Sequence, residues 1–212
     1  MAMATALKWA QESTPEASMT AEPLPDWFMP PPGGWTADDM DDLPPGVPRM
    51  ELIDGALIVT PPQTRFHARV MGNLSHALRE VSPPGVTADL EITVKLGKRQ
   101  RPEPDVLVYR EPEDPHEADN RTCCSPDEVL LVVEIVSEES EDRDRVTKPD
   151  KYALAGIPHF WRIERERGEP VVHVYELDGI KEPRYIPVTI ARERLKLDVP
   201  FPVDIDVKAL AR

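Results

Sequence analysis

The stretch VLLVVEIV, residues 129–136, constrains the fold of this 212-residue chain more than any other. A nearly continuous apolar run of this length is typical of a strand that is buried on both faces of a sheet. Glu134 lies within it, and a carboxylate that leaves water without a partner costs several kcal/mol. The sequence therefore predicts a central, covered strand with a group opposite Glu134 that compensates its charge.

The segments before this strand predict a hairpin, a helix and more strands. A hairpin is expected over 51–59, because Asp54-Gly55 supplies the positive backbone angles of a tight turn. The next segment predicts a helix that ends near Val81, with apolar residues every four positions. Strict alternation over 86–96 predicts one half-buried strand.

The rest of the chain completes an α+β domain with one mixed sheet that is flanked by helices. A strand is expected over 105–109, a polar loop over 111–128, and a short helix that ends at Gly156. More strands follow, and we expect the last 25 residues to cover an edge of the sheet.

The two ends of the chain differ in composition. Residues 1–34 are rich in Pro, Ala and Glu and predict a disordered, acidic tail, whereas 35–212 predict a single domain. Thr36, followed by acids, predicts a short helix over 36–43. Half of the net charge of -14 falls within residues 1–48. The remainder is mildly acidic, which excludes the basic footprint of a dedicated DNA-binding module.

Location and redox state follow from simple features. No apolar run reaches the roughly 18 residues that a membrane span needs, so no membrane partner is expected. The N-terminus resembles neither a signal nor a transit peptide. Cys123 and Cys124 are adjacent and are interpreted as free thiols. Together these features predict a cytoplasmic protein.

Two acids carry the strongest candidate chemistry. Asp105 stands at the head of one predicted strand and Glu134 lies in the next. Neighbouring strands lie about 4.8 Å apart, so two carboxylates at matching heights can share a cation. Mg²⁺ is typically held by one or two carboxylates, and it activates water for phosphodiester hydrolysis. The alternative, a partly exposed glutamate or one paired with an arginine, stays open.

Five segments occur in an order that resembles a known family: MELIDGALIV, RFHARVMGNL, RPEPDVLVYR, LVVEIVS and DRVTKPDKYALAGIPHFW. They are similar to the Uma-two family of restriction endonucleases, a branch of the PD-(D/E)XK nuclease superfamily, from about Trp35 to Glu176. The resemblance implies a restriction-endonuclease-like core, with Asp105 and Glu134 as ligands of Mg²⁺ or Mn²⁺. It also implies that Glu51 and His67 line the site, although His67 could simply close an edge of the core.

One position departs from the superfamily signature. Val136 stands where the second residue after the acid is usually lysine. The family resemblance implies that Lys148 on the following helix takes the catalytic role. Because proline is tolerated only in the first turn of a helix, Pro149 predicts that this helix begins near Lys148, and Lys151 is the substitute candidate. Alternatively, Lys148 and Asp144 form only a surface pair.

Two functional hypotheses follow. The first is a metal-dependent nuclease, a DNA endonuclease acting as a homodimer, in which the basic turn formed by Lys98, Arg99 and Arg101 contacts DNA unless it is only a solvated loop. The second is a nuclease-fold protein that has lost catalysis and serves as a binding or assembly module. The acidic tail, the Glu138-Glu139 pair and the displaced lysine favour the second.

Overall fold

A computed structural model describes residues 25–179 and 181–212. Most of the predicted tail therefore lies outside the described residues, and the part within them begins with a 3-10 turn, Asp26–Phe28. The elements follow one another as β1 (Met50–Ile53), β2 (Ala56–Val59), α1 (Arg65–Val81), β3 (Val86–Leu90), β4 (Thr93–Val94), β5 (Val106–Arg110), α2 (Pro115–Asp119), β6 (Cys123–Cys124), β7 (Val129–Ile135), α3 (Lys148–Leu154), β8 (His159–Glu166), β9 (Glu169–Asp178), β10 (Arg184–Ala191), β11 (Arg194–Leu197) and β12 (Val203–Asp206).

Six strands form one central mixed sheet, in the order β10-β9-β8-β7-β5-β3. Within this six-stranded sheet only β7 and β8 run parallel, and α3 lies on the chain between them. The strand β7 lies inside the sheet, and all its residues except Leu130 are buried. The predicted α+β class, with a covered central strand, is confirmed.

Each face of the sheet has its own apolar cluster. On one face, α1 packs Val70, Leu74 and Leu78 against alternate residues of β5 and β7. On the other face, α3 contributes Tyr152, which packs with Phe160 and the remaining residues of the same strands. Because successive strand residues point to opposite faces, β7 is apolar at nearly every position. None of the helices in the described part of the chain is both long and apolar enough to cross a membrane.

The prediction of one strand over 86–96 is wrong at its centre. The strand β3 ends at Leu90, and Glu91 takes a positive φ of 60°. The alternating pattern continues beyond this break, but Ile92 and Val94 pack into the α3-side cluster, whereas Ala88 belongs to the α1-side cluster. The Glu91 carboxylate pairs with Arg49, a contact that the local sequence pattern does not reveal.

Three other predictions are corrected. Residues 37–42 form turns rather than a helix, although the Thr36 hydroxyl accepts from the Asp39 N–H and the Asp39 carboxylate accepts from the Thr36 N–H, as in a capping box. The loop 111–128 contains the short helix α2 and the strand β6. The last 25 residues include β11 and β12, which pack on the α1 face of the sheet instead of covering an edge.

The hairpin at Asp54-Gly55 is confirmed, with φ of 53° and 81° at the two turn residues. A Cβ added at Gly55 would lie 2.3 Å from the guanidinium of Arg99, which donates to the Asp54 carbonyl.

A side chain at this φ costs about 1–2 kcal/mol. We therefore expect Gly55→Ala to lower the free energy of unfolding by at least that amount, measured by urea denaturation.

Gly72 is the matched control, since it lies within α1 and a Cβ there meets nothing within 4 Å. Gly72→Ala should raise the free energy of unfolding by about 0.5–1 kcal/mol, because glycine in a helix loses more entropy than alanine. Equal effects of the two substitutions would contradict the assignment of the turn.

Candidate active site

The two predicted acids meet across neighbouring strands. Val106 pairs with Val133 in the antiparallel register of β5 and β7, so the next step places Asp105 opposite Glu134. The backbone N–H of Ile135 donates to Asp105 Oδ2 at 2.6 Å, which ties the Asp105 carboxylate to the end of β7. Both carboxylates are buried: Asp105 is 9% exposed and Glu134 only 1%.

Glu134 has two partners, both from α3. The Tyr152 hydroxyl donates to Glu134 Oε1 at 2.6 Å, and the Lys148 ammonium donates to Oε2 at 3.2 Å. Burial raises the pKa of Glu134 well above its usual value, against the opposing effect of Lys148 and with a further rise from Asp144. Burial and the adjacent Glu134 carboxylate also raise the pKa of Tyr152, so the phenol remains a donor. These two donors are the compensation that the sequence pattern requires for Glu134.

Lys148 lies among three carboxylates that come from three segments. Its Nζ is 2.9 Å from Glu51 Oε2, 3.2 Å from Glu134 Oε2 and 3.4 Å from Asp144 Oδ1. Burial alone would lower the pKa of the Lys148 ammonium, but the attraction of Glu134, Glu51 and Asp144 outweighs it and raises that pKa. Lys148 is therefore a permanent cation inside the protein.

Lys148 and Lys151, the two candidates for the displaced lysine, have different surroundings. Lys148 is 5% exposed and points into the carboxylate group, whereas the Lys151 ammonium is 2.7 Å from the exposed Asp54 at the hairpin turn. The α-helix begins at Lys148, as Pro149 predicts, but a π-helical turn, Arg143–Thr147, leads directly into it.

The buried Asp144 and Tyr152 were not predicted as site residues. Asp144 and Lys148 are both buried, so the alternative of a surface pair between them is wrong. Burial raises the pKa of Asp144, partly offset by Lys148 and by the hydroxyl of Ser140. The sequence does contain a pattern that could have revealed them. Polar residues recur every four positions, at 140, 144, 148 and 152, and this spacing places their side chains on one face of a helix.

Glu51 and His67 both reach the cleft. His67 Nε2 on α1 lies 3.2 Å from Asp105 Oδ1, and its Nδ1 is buried without a hydrogen-bond partner among the described residues. Glu51 lies on β1 and contacts Lys148 and, at 3.5 Å, Arg143. Val136, by contrast, lines a neighbouring groove with Phe66.

The cleft between these residues has a volume of about 40 Å³. Six carboxylates line it against three permanent cations: Glu51, Glu103, Asp105, Glu134, Glu139 and Asp144 face Arg49, Arg143 and Lys148. The excess of carboxyl groups over cations, and their oxygen donors, suit a hard divalent cation such as Mg²⁺. Asp105 and Glu134 could supply one or two ligands to it, although the described residues contain no group of three or more side chains with metal-site geometry.

The predicted DNA-contacting turn lies apart from this cleft. Arg101 is 4% exposed and donates to the Ala37 carbonyl, to Asp41 and to Thr93. Its donors are therefore committed to β4 and to the segment before β1. Lys98 and Arg99 are exposed, but neither lines the cleft.

Comparisons with known proteins identify the family of the chain and support its fold. The model of the Uma2 family, described as "Putative restriction endonuclease", matches residues 37–209, and the chain belongs to that family. A solved structure from Anabaena variabilis, titled a putative nuclease belonging to DUF820, superposes with a TM-score of 0.58. The two sequences are 20% identical, and the superposition covers 82% of this chain and 96% of the Anabaena chain. This likeness supports a shared fold. No curated protein matches the chain.

The contacts of Lys148 predict a large stability effect. Lys148→Met leaves three buried carboxylates without their cation, and removing one partner of a buried ion pair costs about 3–5 kcal/mol. We expect a loss of this size in the free energy of unfolding, measured by urea denaturation without divalent metal. Lys151→Met is the control. Its partner Asp54 is exposed, so the loss there should stay below about 1 kcal/mol.

Proposed function

We propose that this member of the Uma2 family is a metal-dependent nuclease that hydrolyses phosphodiester bonds in DNA. The observation that carries the proposal is a buried lysine, Lys148, in a cleft with excess negative charge that includes the opposed acids Asp105 and Glu134. Asp105 and Glu134 would hold a Mg²⁺ or Mn²⁺ ion. That ion, when bound, supplies an activated water and polarises the phosphodiester.

The chain's own residues hold the two acids in place. The Ile135 N–H and the His67 ring each engage one oxygen of Asp105. The Tyr152 hydroxyl engages one oxygen of Glu134 and leaves the other facing Lys148. Each acid therefore keeps a defined orientation, and carboxylate oxygens retain further lone pairs after accepting one hydrogen bond.

Lys148 supplies fixed positive charge inside the site. Its raised pKa means that it acts as a hydrogen-bond donor and electrostatic group, and not as a base. A preorganised ammonium in a site that excludes water stabilises the negative charge that develops on a phosphate during attack. We therefore assign Lys148 the role that a lysine two residues after Glu134 has in the superfamily signature.

Calorimetry with Mn²⁺ tests the metal site directly. The wild-type protein should bind Mn²⁺ and cut plasmid DNA in Mg²⁺ or Mn²⁺. The variants Asp105→Asn and Glu134→Gln should lose both the metal binding and the cleavage. Glu113→Gln, in an exposed loop, removes the same charge outside the cleft and should retain both.

A wild-type protein that is folded but neither binds Mn²⁺ nor cuts DNA or RNA would contradict the proposal. The second hypothesis, an inactive nuclease fold that serves as a binding module, would then be preferred. Mn²⁺ binding without cleavage of DNA would retain the metal site and reject the DNA substrate.

We also propose that the protein forms a homodimer through the outer strand of the sheet. Among residues 25–179 and 181–212, the strand β10 pairs only with β9, and its Ile186, Val188 and Ile190 are 40%, 45% and 50% exposed. Pro187 and the bulge beside it weaken backbone pairing with another strand, so the contact would use these side chains.

Light scattering tests the homodimer. The wild type should have twice the monomer mass, and Val188→Lys with Ile190→Lys should reduce it to the monomer mass. Val81→Lys, at an apolar side chain that is 43% exposed at the end of α1, should leave the mass unchanged. A monomeric wild type would exclude the dimer.

A further inference from the structure

The fold assembles a basic groove that no segment of the sequence contains by itself. It lies beside the first turns of α1 and has a volume of about 470 Å³. Five cationic residues line it, together with one acid, Glu169: they are Arg65, Arg69, Arg165, Lys208 and Arg212. They come from α1, the end of β8 and the C-terminal segment, which are distant along the chain.

Two of these cations have no ion pair among the described residues. Arg65 and Arg165 form no ion pair within residues 25–179 and 181–212, and both are exposed. The Arg165 guanidinium lies over the ring of Phe66 at 4.9 Å, a cation–π contact that holds it at the groove. The chain as a whole has a net charge of -14. Arginines that gather in one groove without acidic partners therefore indicate that this groove binds an anion.

The basic groove is continuous with the carboxylate cleft. Thr64, Phe66 and Arg165 line both the basic groove and a second groove of about 470 Å³. That second groove in turn shares His67 and Ser137 with the cleft. Two residues of an α-helix span about 3 Å along its axis, so the step from Arg65 to His67 is short.

We infer that the phosphodiester backbone of a nucleic acid strand binds in this basic groove and reaches the cleft through the second groove. The inference rests on the proposed nuclease function for its choice of ligand, since phosphate oxygens suit exposed arginines better than any neutral group. It replaces the turn of Lys98, Arg99 and Arg101 as the principal contact surface. The second groove carries four acids, Glu138, Glu139, Glu141 and Glu164, so the arginines must supply the attraction.

The test is a binding titration with labelled 30-nucleotide single-stranded DNA, duplex DNA and RNA over a range of salt concentrations. The protein carries Asp105→Asn and divalent metal is omitted, so that nothing is cut. Binding should be retained, and Arg65→Glu with Arg165→Glu should weaken it equally for different base sequences. Glutamate is favourable in the first turn of a helix, so Arg65→Glu should not disturb α1.

The salt dependence gives the quantitative result. Each phosphate contact contributes about 0.7–0.9 to the slope of log affinity against log salt, so the double substitution should reduce that slope by about 1.4–1.8. Arg65→Gln with Arg165→Gln repeats the measurement without added negative charge. Lys98→Gln with Arg99→Gln is the matched control and should leave the slope unchanged.

The outcomes separate this inference from the proposed function. If Lys98 and Arg99 determine the slope and the groove arginines do not, the groove is wrong and the nuclease proposal stands. Failure of all three polymers to bind overturns the inference that a nucleic acid binds in the groove. Binding of polyglutamate, a polyanion without phosphates, as tightly as the nucleic acids overturns it too. Groove-dependent binding, together with a wild-type protein that cuts nothing in Mg²⁺ or Mn²⁺, supports the groove and rejects the nuclease activity. The preferred polymer among the three identifies the source of the phosphates.

Discussion

The Lys148 ammonium joins three parts of the fold, because the carboxylates around it come from separate segments. Glu51 belongs to the hairpin strand β1, Glu134 to the central strand β7, and Asp144 to the π-helical turn before α3. Each of these carboxylates is buried, and none could stay charged there without a nearby cation. The hairpin, the sheet and α3 therefore depend on one another through a single side chain.

The same arrangement explains why the lysine can lie on the helix instead of the strand. In this chain residue 136 is valine, and its side chain lines a groove next to the cleft. The π-helical turn precedes Pro149, which has no N–H to continue the α-helical pattern. Lys148 is placed at the junction of the two helical segments, and Tyr152, one turn later, reaches the other oxygen of Glu134. One short helix thus supplies both partners of Glu134.

The parts of this structure that the sequence predicts are those with a local signature. The hairpin depends on Asp54-Gly55, α1 on its apolar stripe, and β7 on an apolar run, and all three are present. The end of β3 at Glu91 could not be predicted in this way, because Arg49, its partner, lies 42 residues away.

The candidate site shows the same division. Asp105 and Glu134 were predicted because each stands out in its own strand. The burial of Asp144 could not be predicted. An aspartate and a lysine four residues apart give the same sequence pattern whether the helix face is exposed or buried. The basic groove was missed for a different reason: its arginines are scattered along the chain, and only the packing of α1 against the sheet brings them together.

Under the proposed function, the placement of charge would let an acidic protein act on a polyanion. Interactions between exposed charges fade over about 8 Å at physiological salt, so a distant acidic segment has little effect on a phosphate in the groove. The local charges would then be decisive: arginines at the entrance would attract the backbone, whereas the cleft, with six carboxyl groups against three cations, would repel it. A divalent cation at Asp105 and Glu134 would remove most of that repulsion at the point of reaction. On this view the groove supplies the affinity for the strand, and the cleft admits a phosphate only when its own charge has been neutralised.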